Sequence, residues 1–122
     1  MLTILIVDDQ PSVVDALIQR LALEPDFEVI GQANDGASAL ALARELHPDI
    51  VLTDFKMPNM DGLEVALALG EAEPRTRVVI LTIYDTNSTR AQALAAGAAE
   101  FVTKHDTTEA LLAALRRVAA IP

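Results

Sequence analysis

The chain has 122 residues, 52% of them hydrophobic and 3% aromatic, a length that suits one domain with one core spanning 1–122. The formal charge of −9 and the scarce aromatics argue against direct nucleic-acid binding by this segment, and the absence of cysteine excludes disulfides and thiolate metal sites. No apolar run approaches the ~20 residues that cross a bilayer and Met1 to Val7 carries no basic leader, so a cytoplasmic protein without membrane contact is expected.

Ile4-Leu5-Ile6-Val7 is a continuous apolar run, the pattern of a parallel strand covered on both faces, and Asp8-Asp9 follow it. Pro11 sits near the first turn of a helix reaching about Leu23, which either aspartate could also cap. Phe27 to Ile30 is more mixed, follows Glu24-Pro25-Asp26, and reads as an edge strand. Asp35-Gly36 precedes a helix from Ala37 to about Leu46. Ile50-Val51-Leu52 is a third buried strand leading to Asp54, and Met57-Pro58-Asn59-Met60 is expected to shape the loop beside it without chemistry of its own. A helix then runs from Leu63 to about Glu71. Val78 to Leu81 leads to Thr82, a helix from Thr86 to about Ala96 follows, and Gly97 stands at its end. Phe101-Val102 is a short strand ahead of Lys104, and Asp106 with Glu109 is expected to cap a last helix from Thr107 to about Ala119. His47 and His105 read as surface residues.

Strand and helix alternate five times. Right-handed crossovers then give an α/β, flavodoxin-like doubly wound (βα)5 fold, with a parallel five-stranded sheet of order 2-1-3-4-5. The first and third strands flank its topological switch point, and ligands of such sheets bind at the carboxyl ends of the strands. Asp8, Asp9, Asp54, Thr82 and Lys104 all follow apolar strand runs, so the pattern gathers three carboxylates, a hydroxyl and an ammonium at one edge. Two carboxylates about 4 Å apart repel by on the order of 4 kcal/mol at an effective dielectric near 20. A hard divalent cation such as Mg²⁺ offsets that repulsion, with Lys104 as a second positive charge. Under both, Asp54 stays ionised as a nucleophile toward phosphorus.

The run Ile4 to Asp9, Asp54 with Met57-Pro58 and Met60-Asp61-Gly62, Leu81-Thr82, and Lys104 together resemble the receiver domains of bacterial two-component response regulators over essentially the whole chain. The resemblance implies Asp54 as phosphoacceptor, with Mg²⁺ held by Asp8, Asp9, Asp54 and the backbone carbonyl of Lys56. It further implies Thr82 as the hydroxyl that moves toward the phosphoryl group, Lys104 as the ion-pair partner of that group, and Phe101 as an aromatic that changes rotamer. Lys56 and Tyr84, two positions after the acceptor and two after the threonine, would flank the hydrolytic water and tune signal lifetime. A histidine kinase is the implied partner, and a homodimer on phosphorylation is compatible with the family. The Asp35-Gly36 turn and Ala96-Gly97-Ala98 are similar to the branch that carries a C-terminal LuxR-type helix-turn-helix, which would make transcription the output. His105 departs from the commonest pattern, in which proline with a cis peptide follows the lysine. A non-proline cis bond costs roughly 2.5–4 kcal/mol, so a trans bond is expected here.

Two other readings stand beside this one. An aspartate-nucleophile phosphatase or dehalogenase would carry Asp-x-Asp after its first strand, where this chain has Asp8-Asp9-Gln10. An interaction module that keeps only the fold would have lost the acidic pair, the acceptor or the lysine, and all are present. A switch rather than an enzyme is the leading expectation.

Overall fold

A computed structural model describes residues 1–83, 86–104 and 106–120. Five strands alternate with five helices: β1 (Leu2–Val7), α1 (Pro11–Leu21), β2 (Phe27–Ala33), α2 (Gly36–Leu46), β3 (Ile50–Asp54), α3 (Gly62–Ala72), β4 (Arg77–Thr82), α4 (Asn87–Ala95), β5 (Glu100–Thr103) and α5 (Thr108–Ala119). All strand pairs are parallel and the order is β2-β1-β3-β4-β5, as the apolar runs predict. None of these helices is long and apolar enough to cross a membrane.

Side chains alternate across the sheet, so each strand feeds two cores. Ile4, Ile6, Leu52, Val79 and Leu81 pack with Leu111, Leu115 and Val118 of α5 and Val14 and Leu21 of α1. Leu5, Val7, Val51, Val78 and Ile80 face the other way, toward Ala39 and Ala43 of α2, Val65 and Leu69 of α3, and Ala93 of α4. Burial on both faces explains why these strands are uninterrupted apolar runs.

The elements depart from the sequence reading where local signals were weak. β2 continues through Gly31-Gln32-Ala33, since its register against β1 shifts between Ile4 and Leu5 and pairing then resumes at Gly31. There the glycine fits close under Leu5 and Leu46, whose Cδ1 atoms would lie 3.2 and 3.0 Å from an added Cβ. β3 extends to Asp54 and β4 to Thr82, so both polar residues close their strands rather than follow them. α1 ends at Leu21, two residues short of the expected end, and leaves Leu23 exposed.

Capping needs two corrections. Neither Asp8 nor Asp9 caps α1: Gln10 is the N-cap and no side chain closes it, while Pro11 at the first helical position removes one of the donors that would need closing. The N-cap of α5 is Thr107, whose hydroxyl accepts from the Ala110 N–H, in place of Asp106 with Glu109. Asp35 caps α2 as expected, accepting from the Ser38 N–H. His47 ends that helix at φ 49, exposed and 3.3 Å from the Glu73 carboxylate.

Candidate functional site at the carboxyl edge of the sheet

The edge formed by the ends of β1, β3, β4 and β5 holds the charged cluster. Asp8 is 2% exposed, and carboxylate oxygens of Asp8, Asp9 and Asp54 all lie within 4.8 Å of one another. Lys104 Nζ reaches Asp8 Oδ2 at 3.1 Å and Asp54 Oδ2 at 3.5 Å, so one ammonium serves both less exposed carboxylates. The shorter contact is to Asp8, a pairing that strand order alone does not reveal. Asp9 remains exposed on the solvent side of the group.

Each of these side chains is placed by backbone it does not control. Asp8 Oδ1 accepts from the Gln10 N–H at 2.9 Å, which leaves Oδ2 for Lys104. The Lys104 N–H donates to the Thr82 carbonyl at 2.7 Å, extending the β4–β5 pairing just past the strand and fixing where the lysine departs. Asp54 Oδ1 accepts from the Phe55 N–H at 2.8 Å.

The backbone of Asp54 is held from beneath. Gly62, the first residue of α3, packs so closely that an added Cβ would sit 2.4 Å from the Asp54 carbonyl oxygen. Its N–H donates to the Phe55 carbonyl at 2.8 Å, and Asp61 closes the helix start with Glu64 in a reciprocal capping box. Asn59 takes φ 70 in the intervening loop. Met60 packs against Gly36, whose missing side chain makes room for it. Met57 and Met60 both pack against the core face that contains Phe55 and Val65.

Burial and the neighbouring charges act on the Asp54 carboxyl in opposite directions. Burial pushes the Asp54 carboxyl above its ordinary value; Lys104 and the Phe55 N–H pull it down and the Asp8 charge pushes it up, with burial dominant. The Asp54 side chain keeps 11% exposure, so its free edge is reachable. Oxygen-only donors from three carboxylates suit a hard cation of the Mg²⁺ class.

Thr82 is fully buried at the end of β4, directly partnered with Thr103. Phe101, 7% exposed, lies two pairs earlier against Ile80. Lys56 is exposed and its ammonium sits 5.0 Å from the centre of the Phe55 ring. Tyr84 and His105, with the Lys104–His105 peptide, lie outside the described residues. Sequence reasoning missed the support given by Gly62 and the Phe55 amide. The Asp61-Gly62 pair at a helix start was the available signal for the first, and the second had none.

Residues 4–116 match the family model described as the response regulator receiver domain. The chain is 38% identical over 118 residues to the response regulator GacA of Pseudomonas aeruginosa, covering 97% of this chain and 55% of that protein. It is 36% identical to the nitrate/nitrite response regulator protein NarL of Escherichia coli, covering 97% of this chain and 55% of that one. It thus spans about half the length of the curated relatives it matches. Its fold superposes on the signal receiver domain of NarL from Mycobacterium tuberculosis with a TM-score of 0.91 at 36% identity, over 98% of each chain. A LuxR-family two-component response regulator from Aurantimonas sp. SI85-9A1 gives 0.95 at 29% identity, over 98% of this chain and 86% of that one.

Proposed function

Because the chain belongs to the response regulator receiver domain family, we propose that residues 1–122 form one phosphorylatable switch whose acceptor is Asp54. The observation that carries this is the convergence of Asp8, Asp9, Asp54 and Lys104 on one sheet edge, with Asp54 ending β3 and its carboxylate partly open to solvent. An Asp54 carboxylate oxygen attacks the phosphorus of a histidine kinase's phosphohistidine, forming a P–O bond as the P–N bond breaks. The electron pair leaves on the imidazole nitrogen, which takes up a proton. A small donor such as acetyl phosphate serves the same step, with acetate leaving.

Asp8, Asp9, Asp54 and the Lys56 carbonyl would hold Mg²⁺, which when bound neutralises charge between the carboxylates and the incoming phosphoryl oxygens. Lys104, paired with both less exposed carboxylates, is positioned to follow the new charge on Asp54. Thr82 supplies a hydroxyl to the phosphoryl group and Phe101 responds beside it. Lys56 offers no carboxylate to act as a base on water, so hydrolysis is slow. The product is a shifted equilibrium between two surfaces rather than a released metabolite, so the protein acts as a switch and not as a turnover enzyme.

The output is control of transcription through a fused DNA-binding domain, a reading supported by the chain spanning about half the length of the response regulators it matches, and the setting is the cytoplasm. A cognate histidine kinase is the first partner and a second copy of the phosphorylated domain the next.

Incubation with acetyl phosphate and Mg²⁺ tests this reading by intact mass. The parent should gain one phosphoryl unit, and Asp54→Asn should gain none. An equal gain in Asp54→Asn assigns the acceptor elsewhere and defeats the proposal.

A further inference from the structure

Arg90 of α4 makes two contacts with one residue of the sheet. Its guanidinium carbon lies 4.8 Å from the centre of the Phe101 ring, and its Nη1 donates to the Phe101 carbonyl at 3.4 Å. Ring and backbone of Phe101 are therefore gripped by the same group. The helix that carries this arginine has little else of size to fasten it. Its sequence is Asn-Ser-Thr-Arg-Ala-Gln-Ala-Leu-Ala, only Ala93 is buried within it, and Leu94 points to solvent. Thr86 and Thr89 close its first turn in a capping box made within the helix itself. Among the described residues, α4 thus meets the sheet through the small, buried Ala93 and through the long side chain of Arg90.

Partnered residues of neighbouring strands project to the same face, so Ile80 with Phe101 and Thr82 with Thr103 share a face of the β4–β5 pair. Thr82 and Phe101 are diagonal neighbours there, and both are buried. If a phosphoryl group on Asp54 draws the Thr82 hydroxyl toward it, volume opens beside Phe101. A close-packed interior favours the ring position that fills that volume. If the ring-buried state is the one that accepts the phosphoryl group, the rate of phosphorylation scales with the population of that state, so a contact that holds the ring buried raises the rate by the factor it adds to that population.

We propose that Arg90 is a positioning residue that holds the Phe101 ring in the core and thereby couples α4 to phosphorylation of Asp54. The inference rests on the assignment of Asp54 and Thr82 above and adds to it the side chain that carries the state of the sheet edge to a helix surface. Arg90 acts through Phe101, whose ring and carbonyl it meets.

The test measures initial phosphorylation by acetyl phosphate and Mg²⁺ in the full chain. Arg90→Ala should slow it about two- to fivefold, the factor carried by loss of a cation–π contact near the surface. Arg90→Lys keeps a cation above the ring and should recover part of the rate. In a Phe101→Ala background, Arg90→Ala should have no further effect, because the ring through which it acts is gone. Arg90→Met, which keeps the aliphatic stem without the charge, provides the same comparison should truncation to Ala unfold the helix.

A second readout needs no phosphoryl group. With fluorophenylalanine at the three Phe positions, the Phe101 fluorine resonance should move in Arg90→Ala and stay near its parent position in Arg90→Lys. An unmoved resonance, or a rate loss that persists undiminished without Phe101, overturns the role of Arg90 while Asp54 stands. A parent that accepts no phosphoryl group overturns both.

Discussion

Replacing Gly62 by Ala should damage this domain through the backbone of Asp54. The added methyl carbon would lie 2.4 Å from the Asp54 carbonyl oxygen and 3.2 Å from the Phe55 Cα. Relaxed carbon–oxygen contacts fall near 3.3 Å or beyond, so roughly 0.9 Å must be found by moving either the start of α3 or the end of β3. Overpacking of this kind costs about 1–3 kcal/mol. The 2.8 Å hydrogen bond from the Gly62 N–H to the Phe55 carbonyl stretches with it, adding about 1 kcal/mol. Ala is favoured over Gly by up to ~1 kcal/mol in a helix interior, and this offsets part of the loss. The net is about 2 kcal/mol of destabilisation, or roughly 8 °C in Tm at ~4 °C per kcal/mol for a domain this size. Gly70, on the same helix, has nothing within 4 Å of an added Cβ. Gly70→Ala should therefore stabilise, by about 0.5–1 kcal/mol. Urea unfolding of the three proteins at constant m-value measures both changes. If Gly62→Ala is as stable as the parent, the close approach of α3 to Asp54 is not a constraint on the fold, and the steric account of the site fails. Phosphorylation of Gly62→Ala should also slow, because the displaced carbonyl belongs to Asp54, the proposed acceptor.

Adding Mg²⁺ should raise the thermal midpoint by mass action, and Asp9→Ala should erase most of that rise; an undiminished shift in the variant places the cation elsewhere. The raised Asp54 pKa means that its ionised form costs the folded state stability above the folded-state value, a cost that vanishes below the unfolded-state value. In chelator, Asp54→Asn should therefore be more stable than the parent near neutral pH and lose that advantage below about pH 4; an advantage that persists in acid means the cause is not the charge. Hydrogen bonds from Arg116 hold Glu24 and Asp26 below their ordinary values, with Arg20 assisting at Glu24. Depressed carboxylates contribute stability above their unfolded values and lose it as pH falls through the folded ones, so the deficit of Arg116→Met should be largest near neutrality and shrink below about pH 4. A deficit independent of pH would instead assign the role of Arg116 to its packing over Phe27, 5.1 Å from the ring centre.

The apolar runs at Ile4, Ile50 and Val78, each bounded by helix-forming segments, determined the fold before any coordinate, since burial on both faces demands that pattern of few other sheets. The same runs located the site: residues that close parallel strands share an edge, so Asp8, Asp54, Thr82 and Lys104 had to converge. Local signals held where one residue makes one bond, as at the Asp35 cap, and failed where two neighbours compete, as when Thr107 rather than Asp106 caps α5. Three further features were decided only by tertiary structure. Lys104 lies closer to Asp8 than to Asp54, Gly62 presses on the Asp54 carbonyl, and Arg90 covers Phe101. Each joins residues far apart in the chain or loop-separated, across distances set by helix packing and strand twist. Periodicity fixes which face or edge a side chain occupies, but the last few ångströms depend on how every element between them packs.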